Sequence, residues 1–220
     1  LIKVTGGSSL IFENNDSITV QDNLCSNGGG IMVNSGSQLE MAHNNEINFT
    51  GNGRPIINDN AYIEYGGAIY CSGTDSRLTV HDNALVTFNG NSAELGGAIY
   101  VSNGAYASVA DNEQVIFTGN GKSGERGADG GCVYVAGVST MEMTGNKSLI
   151  FRENAVGSTG GAIHAKGAFE KGGAVVLLSG NDSIVMEGNL AYSGSAIGLD
   201  LGANVSIVGN GDVLIQNNLT

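Results

Sequence analysis

Apolar and polar residues alternate along this chain in short segments that end in asparagine. In fourteen segments an apolar anchor is followed three positions later by Asn, as in Phe88 and Asn91, and the residue two positions before the anchor is also apolar. Alternation with a period of two is typical of a β-strand that buries one face. The anchors form seven doublets spaced eight residues apart, at positions 12 and 20, 41 and 49, 80 and 88, 109 and 117, 143 and 151, 178 and 186, and 207 and 215.

A third segment precedes each doublet, and from the second unit onward it opens on a phrase of small residues. These phrases read GGGIMV, GGAIYC, GGAIYV, GGCVYV, GGAIHA and GSAIGL, and they begin 30 to 38 residues apart. Repeats of this length are structural units that bury their apolar faces by stacking on one another. The pattern predicts an all-β protein, a parallel β-helix of about seven coils with three short strands each. Parallel crossover connections are almost always right-handed, so we expect a right-handed helix.

The two parts of the repeat have different predicted roles. We expect the anchors to stack along a narrow core and the asparagines to lie at inward corners, where they bond to the next coil and accept positive φ. Each glycine pair would begin the third face at a bend too tight for a Cβ. The predicted core and corner residues include Phe12, Phe49, Phe88, Phe117, Phe151, Asn52, Asn91, Asn120 and Asn154.

Composition excludes several classes of function. The formal net charge of −12 gives no basic footprint for nucleic acid. No apolar run approaches the roughly 20 residues of a membrane-spanning helix, so we expect no membrane insertion by this segment. The three cysteines have no metal-ligand spacing, and we expect free thiols, with Cys71 at an inward anchor and Cys132 at an outward position. We expect neither a metal nor a cofactor.

Two literal motifs alternate over essentially the whole chain. Phe-x-x-Asn begins at residues 12, 49, 88, 117 and 151, and Gly-Gly-Ala-Ile begins at residues 66, 96 and 160. Together they resemble the repeats of the chlamydial polymorphic membrane proteins. That resemblance implies an extracellular or cell-surface β-helical passenger, exported by a C-terminal β-barrel autotransporter, that acts as an adhesin on host cells. Residues 1–220 would then be one domain within a longer repeat protein, with any targeting element outside them.

One column of residues is a candidate binding surface. Tyr70, Tyr100 and Tyr134 take the same predicted outward position in three consecutive coils, in line with Met32 and His164. The result would be an aromatic stripe about 10 Å long, suited to stacking on sugars or docking a protein. The alternative is that like residues stack on the outside of the β-helix and stabilise it without any ligand.

Three inserted segments break the regular coil, at residues 53–65, 121–129 and 166–173. Binding residues are concentrated on loops that a rigid scaffold positions, and these loops carry Arg54, Lys122 and Arg126 on an otherwise acidic protein. The first two segments occupy the same corner two coils apart, so we expect them to project from one edge. The alternative is that the fold tolerates these insertions without any function.

Catalysis is not predicted. Asp22, Asp82 and Asp111 precede corner asparagines, and Asp82 and Asp111, one coil apart, could share Ca²⁺, but aspartate is also a favoured turn residue. The other carboxylates are spread over turns with no convergent set beside a base, so we expect no catalytic residues. We therefore interpret the chain as an adhesin or stalk whose partner is a host-cell or matrix protein or a glycan. Two alternatives stay open: a filament subunit that associates end to end through open coil edges, and a polysaccharide-degrading β-helix enzyme.

Overall fold

A computed structural model describes residues 1–25, 27–53, 65–122, 129–168 and 172–220. Its regular elements in these ranges are all β-strands. No helix long and apolar enough to cross a membrane occurs among the described residues.

Three parallel sheets of seven strands each run along the molecule, and we call them sheets A, B and C. Sheet A comprises Ile2–Val4, Ile31–Asn34, Ile69–Ser72, Ile99–Ser102, Val133–Ala136, Ile163–Lys166 and Ile197–Asp200. Sheet B comprises Ser9–Glu13, Gln38–Ala42, Arg77–His81, Tyr106–Ala110, Thr140–Thr144, Val175–Ser179 and Asn204–Val208. Sheet C comprises Ile18–Gln21, Glu46–Thr50, Leu85–Asn89, Gln114–Thr118, Ser148–Arg152, Ser183–Glu187 and Asp212–Gln216. A short parallel pair, Gly121–Lys122 with Ala155–Val156, lies beside them.

The coils stack in the register that the repeat predicts. Each coil contributes one strand to sheet A, then one to sheet B and one to sheet C. Equivalent anchors of neighbouring coils are therefore paired, and Phe88 lies between Phe49 and Phe117. The predicted fold class, a parallel β-helix of about seven coils with three short strands each, is confirmed. We number the coils one to seven by their strand in sheet A.

Stacked phenyl rings fill the core beneath sheet C. Phe49, Phe88, Phe117 and Phe151 are fully buried, with ring centroids 5.0, 4.7 and 5.0 Å apart and planes within 7° of parallel. Phe12 lies instead in sheet B, where it pairs with Met41 and stays partly exposed. The anchors therefore form the core as predicted, with one phenylalanine at its margin.

Asparagine ladders line two corners, where sheet B turns into sheet C and where sheet C ends. From coil two onward, each side-chain oxygen accepts from the preceding coil: Oδ1 of Asn91 lies 3.0 Å from both the backbone N and Nδ2 of Asn52. Each amide group also donates to an anchor carbonyl, as Nδ2 of Asn91 does to Phe49 at 2.9 Å. The inward position of these asparagines is confirmed, because Asn52, Asn91, Asn120 and Asn154 are at most 1% exposed.

The predicted backbone conformation of the ladder residues is wrong. Positive φ belongs to the residue before each corner Asn, for example 54° at Asp82 and 63° at Gly90. That residue turns the chain at the corner, so the following asparagine points inward with an ordinary φ. Glycine, asparagine and aspartate tolerate this conformation best, which explains why they recur there.

The third corner, between sheets A and B, uses serine and was not predicted. Oγ of Ser37, Ser76 and Ser139 accepts from a backbone N–H of the preceding coil at 3.2, 3.1 and 3.0 Å. All three side chains are buried. The sequence did contain a signal for this corner: a small residue recurs two positions before the first buried apolar residue of each sheet B strand.

Cys132 lies in the core, so its predicted outward position is wrong. Ala68 and Ile69 at the equivalent positions of coil three show why: both are fully buried, and both of their N–H groups donate to the carbonyl of Ala98. Two adjacent residues facing one carbonyl interrupt the strand alternation. Burial raises the pKa of both the Cys71 and Cys132 thiols, and all three cysteines are free.

Candidate functional site

The predicted aromatic column lies on the outer side of sheet A. Met32, Tyr70, Tyr100, Tyr134, His164 and Gly198 occupy equivalent positions in coils two to seven. The rings of Tyr70, Tyr100 and Tyr134 are stacked, with centroids 5.5 Å apart at both steps and planes 7° and 16° from parallel. The predicted alignment of the three tyrosines is confirmed.

A second line of residues runs beside this column, just ahead of the glycine pairs. Parallel bridges join Asn27 to Tyr65, Tyr65 to Leu95, Leu95 to Asp129 and Thr159 to Ser193, and we call these six residues the covering row. The glycine pair brings the row close to the sheet. A Cβ added to Gly130, for example, would lie only 2.9 Å from Cβ of Tyr134. Glycine pairs are therefore required at the points where the covering row approaches sheet A closely.

The covering row buries much of the column. The Tyr65 ring lies 4.8 Å from that of Tyr100, and the methyl group of Thr159 occupies the space where a side chain at position 198 would begin. Tyr100 and Tyr134 are only 8% and 4% exposed. The expectation of an open aromatic stripe is wrong, because the covering row packs over it.

The accessible part of the aromatic cluster is at its N-terminal end. Tyr65 and Tyr70 are both half-buried, with ring centroids 6.1 Å apart at a tilt of 59°. Next to them Ser72 accepts hydrogen bonds from Ser102 and from the exposed amide of Asn103, both at 2.9 Å. Burial raises the pKa of Tyr100 to about 12, so its hydroxyl stays protonated at physiological pH. Aromatic faces and amide or hydroxyl groups thus lie side by side.

Most of the three inserted segments lies outside the described residues, including Arg54, Arg126 and the side chain of Lys122. The ends of all three segments are described, however. Segments 53–65 and 121–129 rejoin the fold at Tyr65 and Asp129, which are both members of the covering row. The third segment, 166–173, lies where sheet A leads into sheet B.

His164 continues the column in coil six and was not singled out as a site residue. Its side chain is fully buried, and Nε2 lies 3.0 Å from Oδ2 of Asp200. On the other side, Nδ1 is 3.8 Å from Oδ2 of Asp129 and has no hydrogen-bond partner. The Tyr134 ring packs edge-on at 4.9 Å. The available signal was a histidine that follows three tyrosines at the same position of consecutive coils.

The described residues contain no group of three or more His, Cys, Asp or Glu side chains placed to hold a metal ion. His81 forms a separate polar contact on the surface, with its ring nitrogens 2.8 Å from Asp82 and 3.2 Å from Glu40. The hydrogen bond to Asp82 raises the pKa of His81.

Known proteins match the repeat. The model of the Chlamydia polymorphic membrane protein repeat matches residues 85–102 and 143–166. The chain is 30% identical over 121 residues to probable outer membrane protein pmp19 of Chlamydia pneumoniae. The aligned residues cover 53% of this chain and 13% of that protein. It is 30% identical over 120 residues to probable outer membrane protein PmpA of Chlamydia trachomatis, covering 53% and 12%.

A third relative, probable outer membrane protein PmpG of Chlamydia muridarum, is 35% identical over 94 residues, which cover 42% of this chain and 9% of that protein. No solved structure matches the chain. The chain thus covers only a small part of the length of each of these relatives. The matches confirm the resemblance that the motifs indicate, and the chain carries the repeat of the Chlamydia polymorphic membrane protein family.

Proposed function

We propose that this chain is a rigid segment of a β-helical passenger at the bacterial surface, where it acts as an adhesin or stalk. The observation that carries the proposal is the in-register stacking of the coils, in a repeat whose relatives are named as outer membrane proteins. Seven coils at about 4.8 Å each give a rod of about 33 Å. Such a rod would hold its inserted segments away from the cell.

The adhesive surface in this proposal is the side where sheet C connects to sheet A. Two inserted segments rejoin the fold there, and the half-buried Tyr65 and Tyr70 lie beside the Ser72 and Asn103 cluster. Half-buried aromatic rings and the exposed side chain of Asn103 suit a glycan or a protein of the host-cell surface or matrix. The fully buried parts of the column would support this edge without touching the partner.

Surface location is tested on cells of the source organism. Antibodies raised against residues 1–220 should label intact cells, and external protease should remove the signal. Labelling that appears only after the envelope is permeabilised would contradict the proposal.

Adhesion is tested separately with the purified chain coupled to beads. Replacing Tyr65 or Tyr70 by serine should reduce bead attachment to host cells. Tyr106→Ser is the matched control, because Tyr106 is half-buried like these two tyrosines but lies in sheet B, away from the C-to-A connection. Equal attachment by all three variants and the unmodified chain would remove the tyrosine edge from the proposal, without affecting the location result.

End-to-end association of rods is a second candidate function. Val213 and Ile215 in coil seven are 44% and 49% exposed, whereas their counterparts Ile184 and Met186 in coil six are fully buried. A further coil of the same type, from this chain's parent or from a second copy, would cover them. Sedimentation velocity at rising concentration, with negative-stain microscopy, separates fibres from isolated rods.

A further inference from the structure

The junction around His164 joins three consecutive coils. Asp129 belongs to the covering row at the start of coil five, His164 to coil six and Asp200 to coil seven. Each carboxylate residue is also tied to the backbone of a neighbouring coil. Oδ1 of Asp129 accepts from the N–H of Thr159 at 3.0 Å, and the carbonyl of Asp200 accepts from Gly167 at 2.9 Å. A change in the protonation of the imidazole would therefore alter contacts in all three coils.

The hydrogen-bond pattern leaves one face of the imidazole unsatisfied. A carboxylate only accepts, so the contact with Asp200 places the ring hydrogen on Nε2. Nδ1 then carries a lone pair that faces the Asp129 carboxylate, which is a second acceptor, at 3.8 Å. A buried polar atom without a partner is unfavourable. One added proton would convert this arrangement into two charge-assisted hydrogen bonds, but it would also create a positive charge with no access to water.

We propose that the Asp129–His164–Asp200 junction is an acid-sensitive joint, which loosens coils five to seven when the surroundings become acidic. The charged and titratable groups that face the imidazole are the two carboxylates, the edge of Tyr134 and the ammonium group of Lys166. Asp129 and Asp200 favour the added proton, whereas Lys166 and the burial of the ring oppose it.

Burial is the largest of these effects and lowers the pKa of His164 in the folded protein. The unfolded chain therefore binds a proton at a higher pH than the folded chain does. As the pH falls below the ordinary histidine value of 6.5, the unfolded state is stabilised first, and folding stability is lost. The unfolding equilibrium constant rises about tenfold for each pH unit over which only the unfolded state is protonated.

The substitution His164→Tyr provides the sharpest test, because tyrosine occupies the same position in coils three to five. Between pH 7 and pH 5 the unmodified chain should lose more thermal stability than the variant. As the pH falls, hydrogen-exchange protection factors, which are corrected for the intrinsic pH dependence of exchange, should decrease first at amides such as Gly130 and Gly160 and only at lower pH at Ile69 and Ile99. An identical pH dependence in both proteins would overturn the proposal.

His81→Gln is the control, since His81 lies on the surface and its pKa is shifted in the opposite direction. This variant should keep the acid-induced loss that the His164 variant lacks.

The second measurement does not depend on the tyrosine variant folding. In the unmodified chain, nuclear magnetic resonance should place the titration of His164 below that of His81. Asp129→Asn should move it to still lower pH, because the new amide can donate to Nδ1 of the neutral ring. Titration of His164 at or above the pH at which His81 titrates would overturn the proposal.

Discussion

The turn from sheet B to sheet C and the connection from sheet C to sheet A are built on opposite plans. The first is three residues long in coils two to seven, for instance residues 82–84, and four in coil one, residues 14–17, and it holds an asparagine ladder. The second also starts on an asparagine ladder, but then varies from nine residues, 22–30, to eighteen, 51–68, before sheet A resumes. Two inserted segments lie in the C-to-A connection and none in the B-to-C turn, while the third, residues 166–173, lies between sheets A and B.

The difference shows where the fold is fixed and where it is free. In the C-to-A connection the asparagine and the glycine pair each bond to their counterparts in the next coil, so both ends of the connection are held. Lengthening a loop between two fixed ends costs little, because closure entropy grows only with the logarithm of loop length. The short turn has no such free stretch. Variation, and with it recognition, is therefore expected on the side of the covering row.

The largest expected effect comes from the glycine pair that ends the variable connection. A Cβ on Gly131 would overlap the carbonyl oxygen of Gly161 in the next coil, and neither backbone can move without breaking the ladder. Gly131→Ala should destabilise the chain by about 3 kcal/mol or more, or prevent folding. Urea unfolding monitored by circular dichroism measures the change.

Gly90→Ala is the control for that substitution. Gly90 has a φ of 63° but open space around its Cβ position, so the cost is only the left-handed backbone, about 1–2 kcal/mol. If both variants lose the same amount of unfolding free energy, close approach of the coils is not the reason that glycine is required at position 131.

The next effect concerns the column beneath the covering row. Tyr100 stacks between Tyr70 and Tyr134 and is almost fully buried. Tyr100→Ala should therefore cost about 3 kcal/mol, whereas an exposed stripe would leave the melting temperature nearly unchanged. Tyr192→Ala, at an exposed tyrosine, should stay within about 0.5 kcal/mol. A Tyr100 variant as stable as the control would restore the open-stripe interpretation.

Asparagine ladders should give an intermediate effect. Asn91→Ala removes the acceptor for Asn52 and the donor to Phe49, all at buried positions. We expect a loss of about 1–3 kcal/mol in the free energy of unfolding. Asn89→Ala, two residues earlier at an exposed position, should change it very little. Similar small changes at both positions would show that the ladder does not stabilise the stack.

These sites also show how far the sequence alone could reach. Coil register was predictable because the two spacings, three residues from anchor to Asn and eight between anchors, recur in every unit. Phe88 and Phe117 had to align once the asparagines did. The burial of Tyr100 and the junction at His164 were not predictable in this way. Both depend on the path of the C-to-A connection, whose variable length leaves no period to count and places Asp129 beside His164 only in the folded chain.

The smallest expected effect on the free energy of unfolding comes from a surface ion pair at the short B-to-C turn. Lys147 follows a ladder asparagine at the B-to-C turn and pairs with Glu113 of the preceding coil, and both side chains are mostly exposed. Exposed ion pairs contribute little, so Lys147→Ala should change the free energy of unfolding by about 0.5 kcal/mol or less, and less still at high salt. Asn146→Ala, at the adjacent buried position, should cost several times more. Equal losses of unfolding free energy for the two substitutions would mean that surface charges, rather than the asparagine ladder, stabilise the short turn. The nearly constant length of that turn would then need an explanation other than the ladder.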